Sequence, residues 1–297
     1  MLLQLGLQIV LPVGLIAASY TRRYGDRAEW ALESGVFALA LLFAILTARW
    51  DMTSVHLRWV VSILFLVSAV TSYRRIGSGV RTPNSFLRTY GVNAVLLAAL
   101  LGLNGIVLAG TVPPEGAIDL EFPLQDGTYY IGGGGTSRWL NNHVAYPPEQ
   151  YANDITRLNR AGNRGVFLPS ADLDSYEMFG SPVVSPCTGS VVVSIDGHPD
   201  LLPPNRDTRN VAGNHVIISC RGVEVLLAHL RNGSLSVSEG SRVSAGDPIG
   251  LVGNSGNTTQ PHLHIHAERG GEPGVILQGE GVPITYGGRF AVRNSLF

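Results

Sequence analysis

Four long apolar segments lie within the first 110 residues of this 297-residue chain. Each approaches the roughly 20 apolar residues that a helix needs to cross a lipid bilayer. They span residues 2–20, 29–48, 54–73 and 90–110. Because charges are few in this part of the chain, the pattern favours spanning helices over the buried core of a helical domain. The sequence therefore predicts an all-α transmembrane domain of about four helices over residues 1–110.

Arginines are distributed unevenly between the loops that connect these segments. The first loop contains Arg22, Arg23 and Arg27, and the third contains Arg74, Arg75, Arg81 and Arg88. The second loop has only Arg49 and Arg58, with Asp51 beside them. Loops rich in basic residues face the cytoplasm. The arginine pattern therefore predicts that the N-terminus and everything after Gly110 lie outside the cytoplasm.

The sequence pattern changes after residue 110. Residues 111–124 (TVPPEGAIDLEFPL) are predicted to be a linker, and residues 125–297 show little helical periodicity. Short β-branched runs separated by Gly, Pro, Asn and Asp are typical of an all-β domain. The clearest runs are SVVVSI (190–195), HVIISC (215–220), VEVLLAHL (223–230) and HLHIHAE (262–268).

Three of the eight histidines, His262, His264 and His266, lie within five residues. In a strand, residues two apart point to the same face about 6.7 Å apart, whereas His262 and His266 would be roughly 13 Å apart. One neighbouring pair can therefore share a metal site, with the third histidine at its edge. A catalytic zinc has three protein ligands and an open position, so other ligands must come from elsewhere. The candidates are carboxylates and the histidines His143, His198, His215 and His229.

The stretch GNSGNTTQPHLHIHAE resembles the C-terminal signature of the M23 family of zinc metallopeptidases, of the LytM or lysostaphin type. Further segments resemble that family in its own order: FGSPVVSPCTGSVVVSI, GNHVIIS, LLAHL and VSAGDPIGLVGNSG. The resemblance covers about residues 122–297. It implies a multidomain protein in which an all-β, M23-type barrel-sandwich domain (125–297) follows the transmembrane helices.

The resemblance also implies roles for five residues. His264, the second histidine of the H-x-H pair, would bind Zn²⁺ together with His143 and Asp154, while His229 and His262 would assist catalysis. The family's upstream motif is H-x-x-x-D, whereas ten residues separate His143 from Asp154 in this chain. Some members have a longer N-H…Q-x-Y-A-x-D form, which this segment resembles.

His266 is expected at the rim of the site rather than among its ligands. The polar, turn-like run AERGGEP directly follows His266, so this residue should lie near the end of its strand, where its side chain meets solvent. From there it could still hydrogen-bond a ligand such as Asp154 and tune the site. The pair His264–His266 stays geometrically possible as an alternative to His262–His264.

The function implied by the resemblance is that of a membrane-anchored zinc metalloendopeptidase, which hydrolyses stem or cross-link peptides of peptidoglycan by zinc-activated water. Its partners would be peptidoglycan peptides, the lipid bilayer and a possible protein bound by the transmembrane helices. It would be a multi-pass protein of the bacterial inner (cytoplasmic) membrane, with the C-terminal domain on the periplasmic or cell-wall side. The formal net charge of −1 gives no indication of a nucleic-acid partner.

Two other functions stay open. A non-catalytic M23-like module could bind the wall or activate a partner hydrolase, although such modules typically lose metal ligands that this chain keeps. A histidine phosphocarrier on a related fold is disfavoured by the outside location and by the candidate ligands.

Cys187 and Cys220 are not spaced like metal ligands. A disulfide can persist outside the cytoplasm. The sequence therefore leaves open both a bridge and two buried thiols.

Overall fold

In the computed structural model the chain divides into two compact units, residues 1–109 and 110–297. The structure describes residues 2–77, 90–167 and 169–297. Arg81 and Arg88, two of the arginines used to predict the membrane orientation, lie outside the described residues.

The first unit has a helix in each of the four predicted apolar segments. Its helices are α1 (Leu2–Leu5), α2 (Leu11–Thr21), α3 (Arg27–Thr47), α4 (Leu57–Tyr73) and α5 (Val92–Ala109). A π-helical turn over Gly6–Val10 joins α1 to α2, so that Leu3–Thr21 forms one span. By length and composition, this span, α3 and α5 could each cross a membrane, whereas α4 has only 17 residues. Within the described residues, three helices are thus long and apolar enough to cross a membrane, and the predicted number of four is not confirmed.

The second unit is rich in β-strands. They are β1 (Ile118–Leu120), β2 (Thr128–Gly133), β3 (Asn153–Leu158), β4 (Pro182–Val184), β5 (Gly189–Ile195), β6 (Asn214–Cys220), β7 (Val223–Leu230), β8 (Arg242–Val243), β9 (Pro248–Leu251), β10 (Leu263–Arg269), β11 (Glu280–Val282), β12 (Ile284–Tyr286) and β13 (Arg289–Phe290).

Most of these strands belong to one sheet. Its order is β2-β3-β10-β7-β6-β5-β8, and β11 also pairs with β10. Strands β1, β12 and β13 form a second sheet, and β4 pairs with β9. The predicted β-rich domain is therefore found, but the barrel-sandwich form is not confirmed, because the described strands do not close into a barrel.

Residues 111–124, predicted as a linker, contribute to the second unit. Strand β1 lies within this segment and pairs in parallel with β12, with Ile118 opposite Ile284. Leu120 and Leu124 are buried in the core of the sheet-rich unit. The apolar residues of IDLEFPL alternate, as they do in a strand with one buried face. The second unit therefore begins earlier in the chain than the predicted residue 125.

Strand β10 places the histidine cluster between two neighbouring strands. His264 lies opposite Asp154 on β3 and opposite Ala228 on β7. Leu263 and Ile265 are fully buried in the core. Because side chains alternate between the faces of a strand, His264 and His266 share the other face. The sheet register thus brings Asp154 beside His264.

The two cysteines form a disulfide between the end of β6 and the loop before β5. The Cα atoms of Cys187 and Cys220 are 6.2 Å apart. The structure therefore contains the bridge, one of the two possibilities that the sequence left open.

Candidate metal centre

The three predicted ligands meet at one point. His143 lies in a 3₁₀ turn (Asn142–Ala145), Asp154 on β3 and His264 on β10. Each offers one ligand atom, and these atoms all lie within 4.8 Å of one another. Asp154 Oδ1 is 3.1 Å from His143 Nε2 and 3.1 Å from His264 Nδ1. The structure therefore brings together the residues that the sequence predicted as ligands.

The pKa values of these three residues show where positive charge is favoured. Burial alone would raise the pKa of Asp154, but the neighbouring histidines outweigh it and hold this pKa well below its usual range. Burial would lower the pKa of His143, but the carboxylates of Asp154 and Glu149 raise it to about 10. Burial lowers the pKa of His264 to about 4. The centre thus favours positive charge beside Asp154, and two nitrogens with one carboxylate oxygen match the ligands of catalytic zinc.

A second group of possible ligands shares His264. Glu149, His264 and His266 also offer atoms within 4.8 Å of one another. Glu149 Oε2 is 3.7 Å and His266 Nδ1 is 2.9 Å from His264 Nε2. The two nitrogens of an imidazole point away from each other, so one ion cannot bind both. A single ion must therefore occupy either the Asp154 group or the Glu149 group.

His266 does not meet solvent, so this part of the prediction is wrong. The side chain is buried, with 3% exposed, because β10 continues beyond it to Arg269. Its Nδ1 is 2.9 Å from His264 Nε2, and its Nε2 is 2.8 Å from Glu268 Oε1. His266 thus bonds the ring of His264 rather than Asp154. Its place outside the ligand set stays a prediction.

Glu268 is a part of the site to which the sequence did not point. Besides His266, its carboxylate accepts hydrogen bonds from the backbone N–H of Leu277 at 2.9 Å and of Gly279 at 2.7 Å. Burial would raise the pKa of Glu268, but these donors hold it below its usual range. The signal was the alternate spacing of His264, His266 and Glu268 on one face of a strand.

Both predicted catalytic histidines flank the ligands. His262 Nε2 is 3.6 Å from Asp154 Oδ1, and the rings of His229 and His262 have centroids 4.9 Å apart. His229 Nδ1 lies 2.9 Å from the carbonyl oxygen of Ser255, and His262 Nδ1 lies 2.9 Å from that of Gln260. Only an N–H can donate to a carbonyl, so in the neutral form of either ring these contacts place the hydrogen on Nδ1. Each Nε2 then carries a lone pair that can accept a proton.

His229 has an unusual backbone conformation at the end of β7. Its φ is 64°, in the left-handed region that residues other than glycine rarely adopt. Such conformations persist where the surrounding structure enforces them, often at functional sites. Burial lowers the pKa of His229 well below its usual range, so the ring is neutral at neutral pH.

Two further residues contact the ligands and were not identified from the sequence. Gly133 on β2 faces Asp154, and a Cβ at this position would lie 3.0 Å from Asp154 Oδ2. Glu149 Oε1 is 3.2 Å from His143 Nδ1. The available signal was that Glu149 is the only acidic residue between His143 and Asp154.

The remaining histidines of the second unit do not join these groups. Within the described residues, His198 and His215 belong to neither set of possible metal ligands. The Nδ1 of His215 instead lies 2.7 Å from the carbonyl oxygen of Gly213, to which it can donate. Their sequence-based candidacy as ligands therefore gains no support from the geometry.

The sequence profile of peptidase family M23 matches residues 171–274. The second unit contains an M23 peptidase domain. The matched segment includes His229, His262 and His264, whereas His143 and Asp154 precede it. Assigning these two residues to the centre of the M23 domain therefore depends on the resemblance of the upstream segment and on the geometry of the centre.

Known proteins and solved structures are similar to parts of this chain. The peptidoglycan DD-endopeptidase ShyA of Vibrio cholerae is 31% identical over 154 residues, covering 50% of this chain and 32% of its own length. The DD-carboxypeptidase/endopeptidase Mpg of Neisseria meningitidis is 47% identical over 62 residues, covering 20% of this chain and 14% of its own length. The chain thus spans a third or less of these relatives. A solved zinc-containing peptidase from Vibrio cholerae aligns with 56% of this chain and 41% of its own, at 21% identity and a TM-score of 0.32.

Proposed function

We propose that this protein is a membrane-anchored zinc metalloendopeptidase that hydrolyses peptide bonds in the stem or cross-link peptides of peptidoglycan. The observation that carries the proposal is the convergence of His143, Asp154 and His264, with His229 and His262 beside them. The substrate class is supported by the name of ShyA, a peptidoglycan DD-endopeptidase, and the reaction class also by that of Mpg, a DD-carboxypeptidase/endopeptidase.

The residues of the centre have separate tasks in this reaction. His143, Asp154 and His264 would hold the zinc ion. Bound zinc supplies Lewis-acid polarisation of the scissile carbonyl and lowers the pKa of its water to about 7. His262 Nε2, 3.6 Å from Asp154 Oδ1, is placed to accept the proton of the attacking water. His229 is neutral because of its burial, so its Nε2 can take the same role and then return the proton that it has accepted to the leaving amine.

Metal removal provides the direct test of this proposal. The full-length protein, purified in detergent, should cleave defined muropeptides. Incubation with 1,10-phenanthroline should abolish cleavage, and one equivalent of zinc should restore it, because the proposed reaction needs the ion. Mass spectrometry of the products would identify the bond that is cut. Zinc-loaded protein that binds sacculi but cleaves no muropeptide would contradict the proposal and support a non-catalytic wall-binding module.

We also propose that the M23 domain lies on the periplasmic or cell-wall side of the bacterial inner membrane, anchored in the bilayer by the apolar helices, which could in addition contact a membrane protein. The argument is the excess of arginine in the first and third loops. Alkaline phosphatase fused after Phe297 should be active. A green fluorescent protein fused at the same position and exported through the general secretion pathway should not fluoresce. Fluorescence without phosphatase activity would reverse the topology and exclude a wall substrate.

A further inference from the structure

The ten residues between His143 and Asp154 form a loop that is fixed at both ends by one buried side chain. The Oδ1 of Asn141 accepts a hydrogen bond from the backbone N–H of His143 at 3.0 Å. Its Nδ2 donates to three carbonyl oxygens at 3.1–3.2 Å, those of Gly135, Gln150 and Ala152. Asn141 is fully buried. The hydrogen bonds of Asn141 therefore hold the start and the end of the loop close together.

The middle of this loop packs closely against β11. It contains a 3₁₀ turn over Pro147–Glu149. A Cβ at Gly281 would lie 2.6 Å from the carbonyl oxygen of Pro147 and 2.7 Å from that of Pro148. Proline also restricts the backbone of the turn. The turn that carries Glu149 is thus held by its packing against β11 and by its own prolines.

Glu149 contacts the ligand histidines on the nitrogens turned away from Asp154. His143 has Nε2 beside Asp154 and Nδ1 3.2 Å from Glu149 Oε1. His264 has Nδ1 beside Asp154 and Nε2 3.7 Å from Glu149 Oε2. The side chain of Glu149 is 19% exposed, so solvent only partly screens these contacts. Asp154 and Glu149 therefore contact opposite nitrogens of the same two rings.

We propose that Glu149 is a positioning residue, which accepts a hydrogen bond from Nδ1 of His143 and so keeps the Nε2 lone pair of this ring aimed at the metal. A ligand imidazole must present a lone pair on the nitrogen that binds the ion. The partner of its other nitrogen fixes both the tautomer and the ring orientation. This inference rests on the proposed function, because it assumes that zinc binds the Asp154 group.

Glu149 should matter more for the orientation of the His143 ring than for that of the His264 ring. His264 lies on a regular strand and has a second partner for Nε2 in His266 at 2.9 Å. His143 lies in a short 3₁₀ turn outside the sheet, where Glu149 is the carboxylate that reaches Nδ1. Loss of Glu149 should therefore free the ring of His143 to rotate, while the ring of His264 stays oriented.

Zinc affinity measures this role without relying on catalysis. In full-length protein in detergent, competition with a chromogenic chelator should show Glu149→Ala binding zinc about 10–100-fold more weakly than wild type, still with one ion per chain at saturation. Glu149→Gln keeps an acceptor oxygen and should recover most of the affinity. Glu149→Met, which preserves volume but has no strong acceptor, should match the alanine variant. Glu239→Ala removes an exposed carboxylate elsewhere in the second unit and should match wild type.

The cobalt-substituted proteins provide a second readout. Glu149→Ala saturated with Co²⁺ should retain the absorption bands of the wild type, because the ligands are unchanged. Equal zinc affinity in wild type, Glu149→Ala and Glu149→Met would overturn the inference. Failure of Glu149→Ala to bind zinc at saturation, or altered cobalt bands, would also overturn it by making Glu149 a ligand. Wild-type protein that binds no zinc would instead refute the proposed function.

Discussion

Replacing His264 with alanine should produce a folded protein that no longer retains zinc. His264 is the only proposed ligand on β10, and its removal leaves only His143 and Asp154 to bind the ion. Two ligands cannot replace the three that catalytic zinc sites use. Metal analysis after gel filtration should show a fall from one zinc per chain to background, and muropeptide hydrolysis should disappear with it. Full zinc retention in His264→Ala would show that the ion binds elsewhere.

His266→Ala is the matched control for this experiment, since it removes the neighbouring histidine on the same face of β10. It should keep stoichiometric zinc and lose affinity or activity by at most about 10–100-fold, because His266 only orients the ring of His264. Metal-free protein from this change would mean that the ion occupies the alternative group of Glu149, His264 and His266.

Replacing His229 or His262 with alanine should separate metal binding from catalysis. Both rings lie beside the ligands with Nδ1 next to a backbone carbonyl. Removal of a general acid–base typically costs about 10²–10⁴-fold in rate. We therefore expect each variant to keep one zinc per chain while kcat on a defined muropeptide falls by that factor.

The exposed His56 in the first unit provides the control for these two variants. His56→Ala removes a histidine that belongs to neither group of possible ligands, so its zinc content and kcat should match wild type. If His229→Ala or His262→Ala lost its zinc, that residue would have to be reassigned as a ligand.

The sequence indicated the elements of the fold better than their limits. Long apolar runs predict helices because a bilayer requires them, and a helix is found in each run. In contrast, the prolines and glycine of residues 111–124 are typical of a linker, although the alternation in IDLEFPL is typical of a strand. Strand β1 forms there because Leu120 and Leu124 find a core assembled from residues far along the chain. Local composition does not contain that information.

The candidate site likewise depends on contacts between residues that are distant in the chain. The H-x-H spacing alone predicted a shared metal site, but not the partner of His264. Asp154 lies 110 residues earlier, and only the pairing of β3 with β10 brings it to 3.1 Å. The error at His266 has a local cause. Glu268 belongs to the polar run AERGGEP, yet its side chain is buried because its carboxylate accepts hydrogen bonds from two backbone N–H groups and lies 2.8 Å from His266 Nε2.

The pairing of His264 with Asp154 has a consequence for how the protein matures. A shift of β10 by one residue would turn His264 to the opposite face of the sheet, and that register could not hold the ion. An ion that binds the folded chain at 100 times its dissociation constant stabilises that chain by about 2.7 kcal/mol. The zinc supply of the compartment would then select correctly assembled molecules as well as active ones. Zinc scarcity would therefore lower the stability of the folded enzyme as well as its activity.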